Sequence, residues 1–338
     1  TITFTNKAAD ELKNRLVTKL GMEAQDVFAS TFHSMCVRIL RRDAEAIDLP
    51  KSFTIYDTDD SLRVVKKCLK NLNMEEKQFP PKPLLGAISH AKERLESPED
   101  MAGIADRNGD YRMKITARVY AAYQKELHEA GALDFDDLLC ETVRLFKTKP
   151  EVLEYYQNRW QYIMVDEYQD TNHVQYMLVA MLAKKNKNLC VVGDDDQSIY
   201  RFRGAKPEIM FQFKKDYENA SQIILSTNYR STNEIIQSAM KLINNNEKRF
   251  FKAIKGTDKL GEKVEIATLK NDKEEAMYIL RLIDSYLKLG YEYNDIAVLY
   301  RTNTNPRQLV DKLLEFNLPF RMKDVIPNIY EHWIARDI

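Results

Sequence analysis

The sequence predicts an α/β protein built on a parallel sheet, and three observations predict it. Two short apolar runs, Tyr162-Ile163-Met164-Val165 and Leu189-Cys190-Val191-Val192-Gly193, break abruptly into Asp166-Glu167-Tyr168-Gln169-Asp170 and Asp194-Asp195-Asp196-Gln197. A helical stretch around residues 174–183 lies between them, so the runs read as parallel strands buried on both faces. From Pro50 to about Ala132 this alternation is interrupted by a charged, purely helical pattern. Ligands of such sheets gather outside the carboxyl ends of the strands, so both acidic clusters are expected to face one cleft.

At 338 residues the chain has room for two or three domains and a substantial core. Its 44% hydrophobic and 30% charged residues are those of an ordinary globular protein. No apolar run approaches the roughly 18 residues of a membrane span and no signal-peptide pattern opens the chain, so the expected setting is cytoplasmic. Lys plus Arg equals Asp plus Glu, 51 each, so any nucleic acid must be held by local grooves and stacking rather than by a basic field. Cys36, Cys68, Cys140 and Cys190 form no CxxC pair and have no His at ligand spacing, which reads as reduced, mostly buried thiols.

Taken in order, Thr1 to Thr5 is the tail of a strand, and Asn6 caps a helix whose Ala8, Ala9, Leu12, Leu16 and Leu20 line one face before Gly21 stops it. Residues 27–30 suggest a second strand, and Thr31-Phe32-His33 enters a helix carrying Val37, Leu40, Ala44 and Ile47. In the helical interruption, Leu62, Val65, Leu69 and Leu72 make one apolar stripe and Val119, Tyr123 and Leu127 another, punctuated by Pro80-Pro81-Lys82-Pro83. Leu133-Asp134-Phe135-Asp136-Asp137 opens the next helix, and the two acid-ended strands follow. Further on, strands are expected at Ile223-Ile224-Leu225, residues 264–267 and residues 296–300. A helix is expected over about 274–289, and a polar loop over 244–261.

Adjacent carboxylates at a strand end suit a magnesium-nucleotide site, because Mg²⁺ takes oxygen ligands and a second group must orient the attacking water. Asp166 fits the metal role and Glu167 that of base, although an Asp-Glu dipeptide alone reads more readily as a solvated turn. Directly after Gln197, Tyr200-Arg201-Phe202-Arg203 alternates aromatic and basic residues, a pattern that stacks bases and holds phosphate.

The residues from Asp166 to Asn172, Val192-Gly193-Asp194 through Gln197-Ser198-Ile199-Tyr200-Arg201-Phe202-Arg203-Gly204-Ala205, and Asn228-Tyr229-Arg230-Ser231-Thr232 closely resemble the UvrD/Rep/PcrA group of superfamily 1 DNA helicases. Thr3-Phe4-Thr5-Asn6-Lys7-Ala8-Ala9 and Ser30-Thr31-Phe32-His33-Ser34 match too, in the same order, so the resemblance spans nearly the whole chain. It implies a RecA-like motor domain 1A (residues 1–50 and 133–222), a helical 1B insertion (51–132) and part of a second RecA-like domain 2A (223–338). It further implies ATP-dependent translocation on single-stranded DNA and unwinding of DNA in replication or repair. ATP and Mg²⁺ would be bound, and single strands and single-strand/duplex junctions engaged. On this resemblance Gln197 senses the γ-phosphate, Tyr229 stacks on adenine, and Arg230 reaches the γ-phosphate, while Asp166 holds the metal and Glu167 acts as base. DNA would be contacted by Phe4, Thr5, Asn6, Thr31, Phe32, His33, Tyr200, Phe202, Arg203, Arg301 and Asn303. Phe4 alone reads equally as a core residue, and Phe202 stands where many relatives have Trp, which keeps a stacking face but loses area.

One departure stands out: no GxxxxGK[ST] phosphate loop occurs in the 338 residues. Beyond Pro319 the resemblance becomes thin. The sequence is therefore expected to be a helicase lacking its phosphate loop and the strand before it. The Ile163 strand would then be short of a neighbour, and the 1A sheet open to association with another segment or molecule. Two other readings stay open, a single-stranded DNA-binding module without turnover and the motor segment of a helicase-nuclease. A polypeptide of these 338 residues is expected to show no measurable DNA-stimulated ATPase, and to gain it when upstream residues are added; robust turnover in a steady-state assay would contradict this.

Overall fold

The computed structural model describes residues 1–200, 204–206, 208–257 and 259–323. The chain divides into two compact units, one of Thr1–Thr227 with Met240–Ile254 and one of Asn228–Ala239 with the residues from Lys255 onward.

The first unit opens with strand β1 (Ile2–Thr3) and helix α1 (Asn6–Leu20). The cap is Thr5 rather than Asn6: Thr5 has the extended backbone a cap needs, and its hydroxyl accepts the Ala8 N–H at 3.2 Å. Gly21, at φ 60°, ends the helix as expected. Strand β2 (Ser30–Thr31) leads into α2 (Phe32–Asp43), with the Thr31 hydroxyl capping through the Ser34 N–H at 3.2 Å. Two more short strands, β3 (Thr54–Tyr56) and β4 (Ala132–Asp134), bracket the helical insertion of α3 (Thr58–Asn71), α4 (Pro81–Lys92), α5 (Pro98–Asn108) and α6 (Tyr111–Glu129). After β4 come α7 (Phe135–Thr148), α8 (Pro150–Arg159), β5 (Ile163–Val165), α9 (His173–Ala183), β6 (Leu189–Val191) and α10 (Glu208–Asp216).

The main sheet runs β2-β1-β5-β6, every pair parallel. Two expectations are corrected here. Strand β5 lies between β1 and β6, so it is not short of a neighbour; β6 is the strand at that edge. Nor is the sheet buried on both faces: Ile163 and Val165 are buried, but the intervening Met164 is 51% exposed and Cys190 in β6 is exposed. The covered face packs on a core drawn from α2, α7 and α9, including Phe32, Met35, Ile39, Leu139, Phe146, Leu178 and Leu182.

The insertion has its own core, in which both expected stripes take part through Val65 and Leu69 on α3 and Val119, Tyr123 and Leu127 on α6. At its neck β3 and β4 pair in parallel, Thr54 opposite Ala132 and Tyr56 opposite Asp134. There the buried Lys92 ammonium lies 2.6 Å from Asp134 Oδ2 and 2.7 Å from Asp137 Oδ1, and the Tyr123 hydroxyl donates to Asp134 Oδ2 at 2.8 Å. Asp134 and Asp137 also form the capping box that starts α7. One cation thus ties the end of α4 to the start of α7.

Helix α11 (Asn233–Ile243) bridges the division between the units in sequence. In the second unit, α12 (Asp272–Lys288), close to its expected span, packs Ala276, Leu280 and Ile283 against Leu309 and Leu313 of α13 (Arg307–Glu315). The strands expected at residues 223–225, 264–267 and 296–300 do not form: Ile223, Leu225, Ile266 and Leu299 are 83%, 80%, 93% and 93% exposed. A strand needs a neighbour for its backbone groups, and no ladder among the described residues reaches these runs. Among the described residues no helix is long and apolar enough to cross a membrane.

Removing the buried cation would leave two desolvated carboxylates without a partner, a change that costs about 3–5 kcal/mol. Lys92→Ala should therefore lower the denaturant midpoint markedly, whereas Lys67→Ala, which breaks an exposed pair with Glu126, should leave it nearly unchanged. Urea unfolding of both variants beside the parent checks this.

Candidate functional site

Parallel pairing of β5 with β6 puts Val165 opposite Val191, and the ladder runs on past both strand ends. Val192 N–H donates to Val165 O at 2.8 Å, and Tyr168 N–H donates to Val192 O at 2.9 Å. The two acidic clusters therefore leave the sheet side by side. The turn between Asp166 and Tyr168 is sharp: Glu167 has φ 52° and ψ 41°, a left-handed conformation that an L residue with a long side chain seldom holds unless its surroundings impose it.

Gln169, 1% exposed, joins the clusters. Its Nε2 donates to Glu167 Oε2 at 2.8 Å and its Oε1 accepts the Asp194 N–H at 3.0 Å. Gly193 permits this approach, since a Cβ there would come within 2.6 Å of Gln169 Oε1 and 3.2 Å of the Tyr168 and Gln169 nitrogens. Gln197, exposed, donates from Nε2 to Asp194 Oδ2 at 2.7 Å. Burial and the charge of Glu167 push the neighbouring Asp170 carboxyl up to about 6.

The two clusters differ in what they hold. Asp166 is exposed; its Oδ1 accepts the Glu167 N–H at 3.0 Å, and no ion pair to it is formed among the described residues. Asp194, Asp195 and Asp196 bring carboxylate oxygens within 4.8 Å of one another, a spacing that a metal ion could use. That space is taken: Lys252 pairs with all three, and Arg249 forms a two-pronged pair with Asp196 at 2.9 and 2.7 Å. Burial pushes the Asp194 carboxyl up, but hydrogen bonds from Lys252 and Gln197 outweigh it and hold the group below its ordinary value. Burial likewise pulls the Lys252 ammonium down, and the three carboxylates more than reverse it. Of the two clusters, Asp166 is the one whose carboxylate could serve a hard cation such as Mg²⁺ without displacing a side-chain cation already paired among the described residues.

An aromatic pair lies in the same unit. Phe4, half-buried just past β1, stacks on Tyr200 with ring centroids 6.0 Å apart and planes 24° from parallel. Thr5 and Asn6 are exposed beside it. Phe202 and Arg203 lie outside the described residues, as do residues 324–338 at the thin end of the resemblance. The Ser30–Ser34 stretch corrects an expectation: Phe32 is 2% exposed in the core and Thr31 is a buried cap, so neither presents a free face. The half-buried His33 stands edge-on to Phe135 at 5.7 Å and is held neutral-leaning by burial, which lowers its pKa. In the second unit Tyr229 is 73% exposed and Arg230 is exposed, in a turn where Asn228 Oδ1 accepts the Arg230 and Ser231 N–H groups at 2.9 and 3.0 Å. Arg301 and Asn303 are exposed in a turn before α13.

Sequence reasoning passed over Gln169, Arg249 and Lys252. Gln169 stood inside the acidic motif without a role, and only its burial reveals one. Arg249 and Lys252 stood in a loop read as merely polar; the available signal was that three consecutive aspartates beside a strand need cations from somewhere.

Comparison with known proteins gives one consistent result. The sequence model of the UvrD/REP helicase N-terminal domain matches residues 1–218, and that of the UvrD-like helicase C-terminal domain matches residues 223–328. An ATP-dependent DNA helicase PcrA of Staphylococcus aureus is 48% identical over 321 residues, which is 95% of this chain and 44% of that protein. The protein of the same name from Staphylococcus epidermidis is 46% identical over the same shares. The chain thus spans less than half the length of these relatives.

Gln169→Leu should cost about 1–3 kcal/mol by leaving the Asp194 N–H without a partner. Gly193→Ala should destabilise as well, by forcing Gln169 away. In both variants hydrogen exchange at the Asp194 amide should quicken.

Proposed function

Because the chain belongs to the UvrD/REP helicase family, we propose that it supplies motor elements of an ATP-driven DNA translocase and helicase acting on single strands and on single-strand/duplex junctions. The observation that carries this reading is the joining of the two acid-ended strands through Gln169, in the same unit as the Phe4 and Tyr200 ring pair. A site that changes with the state of a triphosphate is thereby connected through a few residues to rings on which bases can stack.

The reaction is phosphoryl transfer from ATP to water. Asp166 would hold Mg²⁺, which when bound offsets charge on the phosphate oxygens. Glu167, held by Gln169 on one oxygen, accepts a proton from the attacking water. Gln197 hydrogen-bonds the terminal phosphate. In the second unit, taken by itself, Tyr229 offers an exposed ring suited to stacking on a base and Arg230 an exposed guanidinium suited to phosphate charge. Phe4 and Tyr200 stack successive bases, with Thr5 and Asn6 as exposed polar contacts to the strand; in the second unit Arg301 and Asn303 are exposed polar groups of the kind that contact a strand. In the first unit His33 is a half-buried member of the same set. Phe202 and Arg203 extend the aromatic-basic run in sequence. Such a motor works where DNA is kept, in keeping with a cytoplasmic setting.

In a chain of the relatives' length, Glu167→Gln should lower the DNA-stimulated ATPase rate by about 10²–10⁴-fold with ATP and single-strand binding retained. Tyr200→Ala should weaken single-strand binding by about 1–3 kcal/mol in fluorescence anisotropy while leaving nucleotide affinity in the absence of DNA unchanged. Undiminished turnover by Glu167→Gln would overturn the assignment of the base.

A further inference from the structure

The reaction above makes no use of Lys252 or Arg249, yet these two side chains are among the more enclosed cations of the first unit, each only 12% exposed. They lie in residues 249–252, a short stretch that the three consecutive aspartates hold along its length. Asp196 takes the guanidinium fork of Arg249. Asp195, with its side chain 3% exposed, accepts the Phe250 N–H at 2.8 Å and pairs with the Lys252 ammonium at 2.5 Å. Asp194 divides its two oxygens: Oδ1 pairs with Lys252, and Oδ2 accepts the Gln197 amide. The Phe250 ring packs on Phe211 at 4.7 Å, which fixes the stretch from the apolar side.

We propose that Lys252 is a positioning residue for Gln197. Its ammonium fixes the Asp194 carboxylate, whose other oxygen aims the Gln197 amide. Together with Arg249 it also offsets most of the negative charge that three aspartates would otherwise direct at an approaching triphosphate. Two consequences follow from this double role. Loss of the cation lets Gln197 wander, which lowers kcat; it also leaves uncompensated carboxylates near the phosphates, which raises KM for ATP. A purely structural pair would move neither constant once the variant was folded. The proposal rests on the reading of Gln197 as the group that meets the terminal phosphate, and the test separates the two.

The experiment is a double-mutant cycle on DNA-stimulated ATPase in a chain of the relatives' length, with Gln197→Ala, Lys252→Met, the double variant, and Lys252→Arg as the conservative replacement. Lys252→Met should lower kcat by up to about 10²-fold, the scale of a misplaced reacting group, and raise KM for ATP. Lys252→Arg should restore much of both. The double variant should have the kcat of Gln197→Ala alone, because the lysine acts on kcat through the glutamine. A normal rate for Gln197→Ala would remove the underlying reading of Gln197. A normal kcat for Lys252→Met, or additive losses of kcat in the double variant, would overturn the positioning role while leaving that reading intact. Hydrogen exchange over residues 194–199 in the 338-residue chain gives an independent readout: Lys252→Met should quicken it locally, and unchanged protection would count against the proposal.

Discussion

Crowding of like charge at the carboxyl ends of two neighbouring parallel strands is the constraint on which the rest of the first unit depends. Strands in a sheet lie about 4.8 Å apart, so clusters that leave adjacent strands cannot avoid one another. At such distances two carboxylates repel by about 4 kcal/mol even with the partial screening of a protein surface. The fold answers with a different device at each strand. Beside β5 the compensation is neutral: one buried amide donates to Glu167 and accepts from the backbone of Asp194, which a carboxylate at position 169 could not do. Beside β6 the compensation is ionic, from Lys252 and Arg249. The result is a division of labour: among the described residues no cation pairs with the Asp166 carboxylate, while the aspartate triplet is filled by two.

The neck of the helical insertion solves a similar problem in a drier place. Lys92 is 2% exposed, and its two carboxylate partners are nearly as enclosed. Exposed pairs such as Lys13 with Asp10 contribute little, because water already solvates both groups. A buried cluster contributes little net stability either, but it is intolerant of losing one member, which gives it a role in specifying where the end of α4 must sit. The capping box formed by the same two aspartates makes the start of α7 depend on that placement.

What could be read from the chain alone was the part governed by local pattern. The acid-ended strands, the helix at His173–Ala183, the insertion and its two stripes all follow from periodicity over a few residues. What escaped was set by partners distant in sequence. Phe32 looks like a surface aromatic in its motif, yet the face of α2 that it shares with Met35 and Ile39 turns it into the core. The apolar runs at residues 223–225 and 296–300 have strand composition, but composition supplies no neighbour to pair with. Lys252 is 56 residues from Asp196 in the chain, and no local pattern joins them.

The parallel pairing of β3 with β4 has a mechanical meaning. In an antiparallel neck both connections to the insertion would emerge at one end of the ladder, and the lobe could swing like a flap. Here the chain departs at one end of the pair and returns at the other, so the lobe is mounted at two points. The Lys92 tie from α4 to α7 adds a third attachment off the line joining those mounts, so the lobe is braced against twisting as well as tilting.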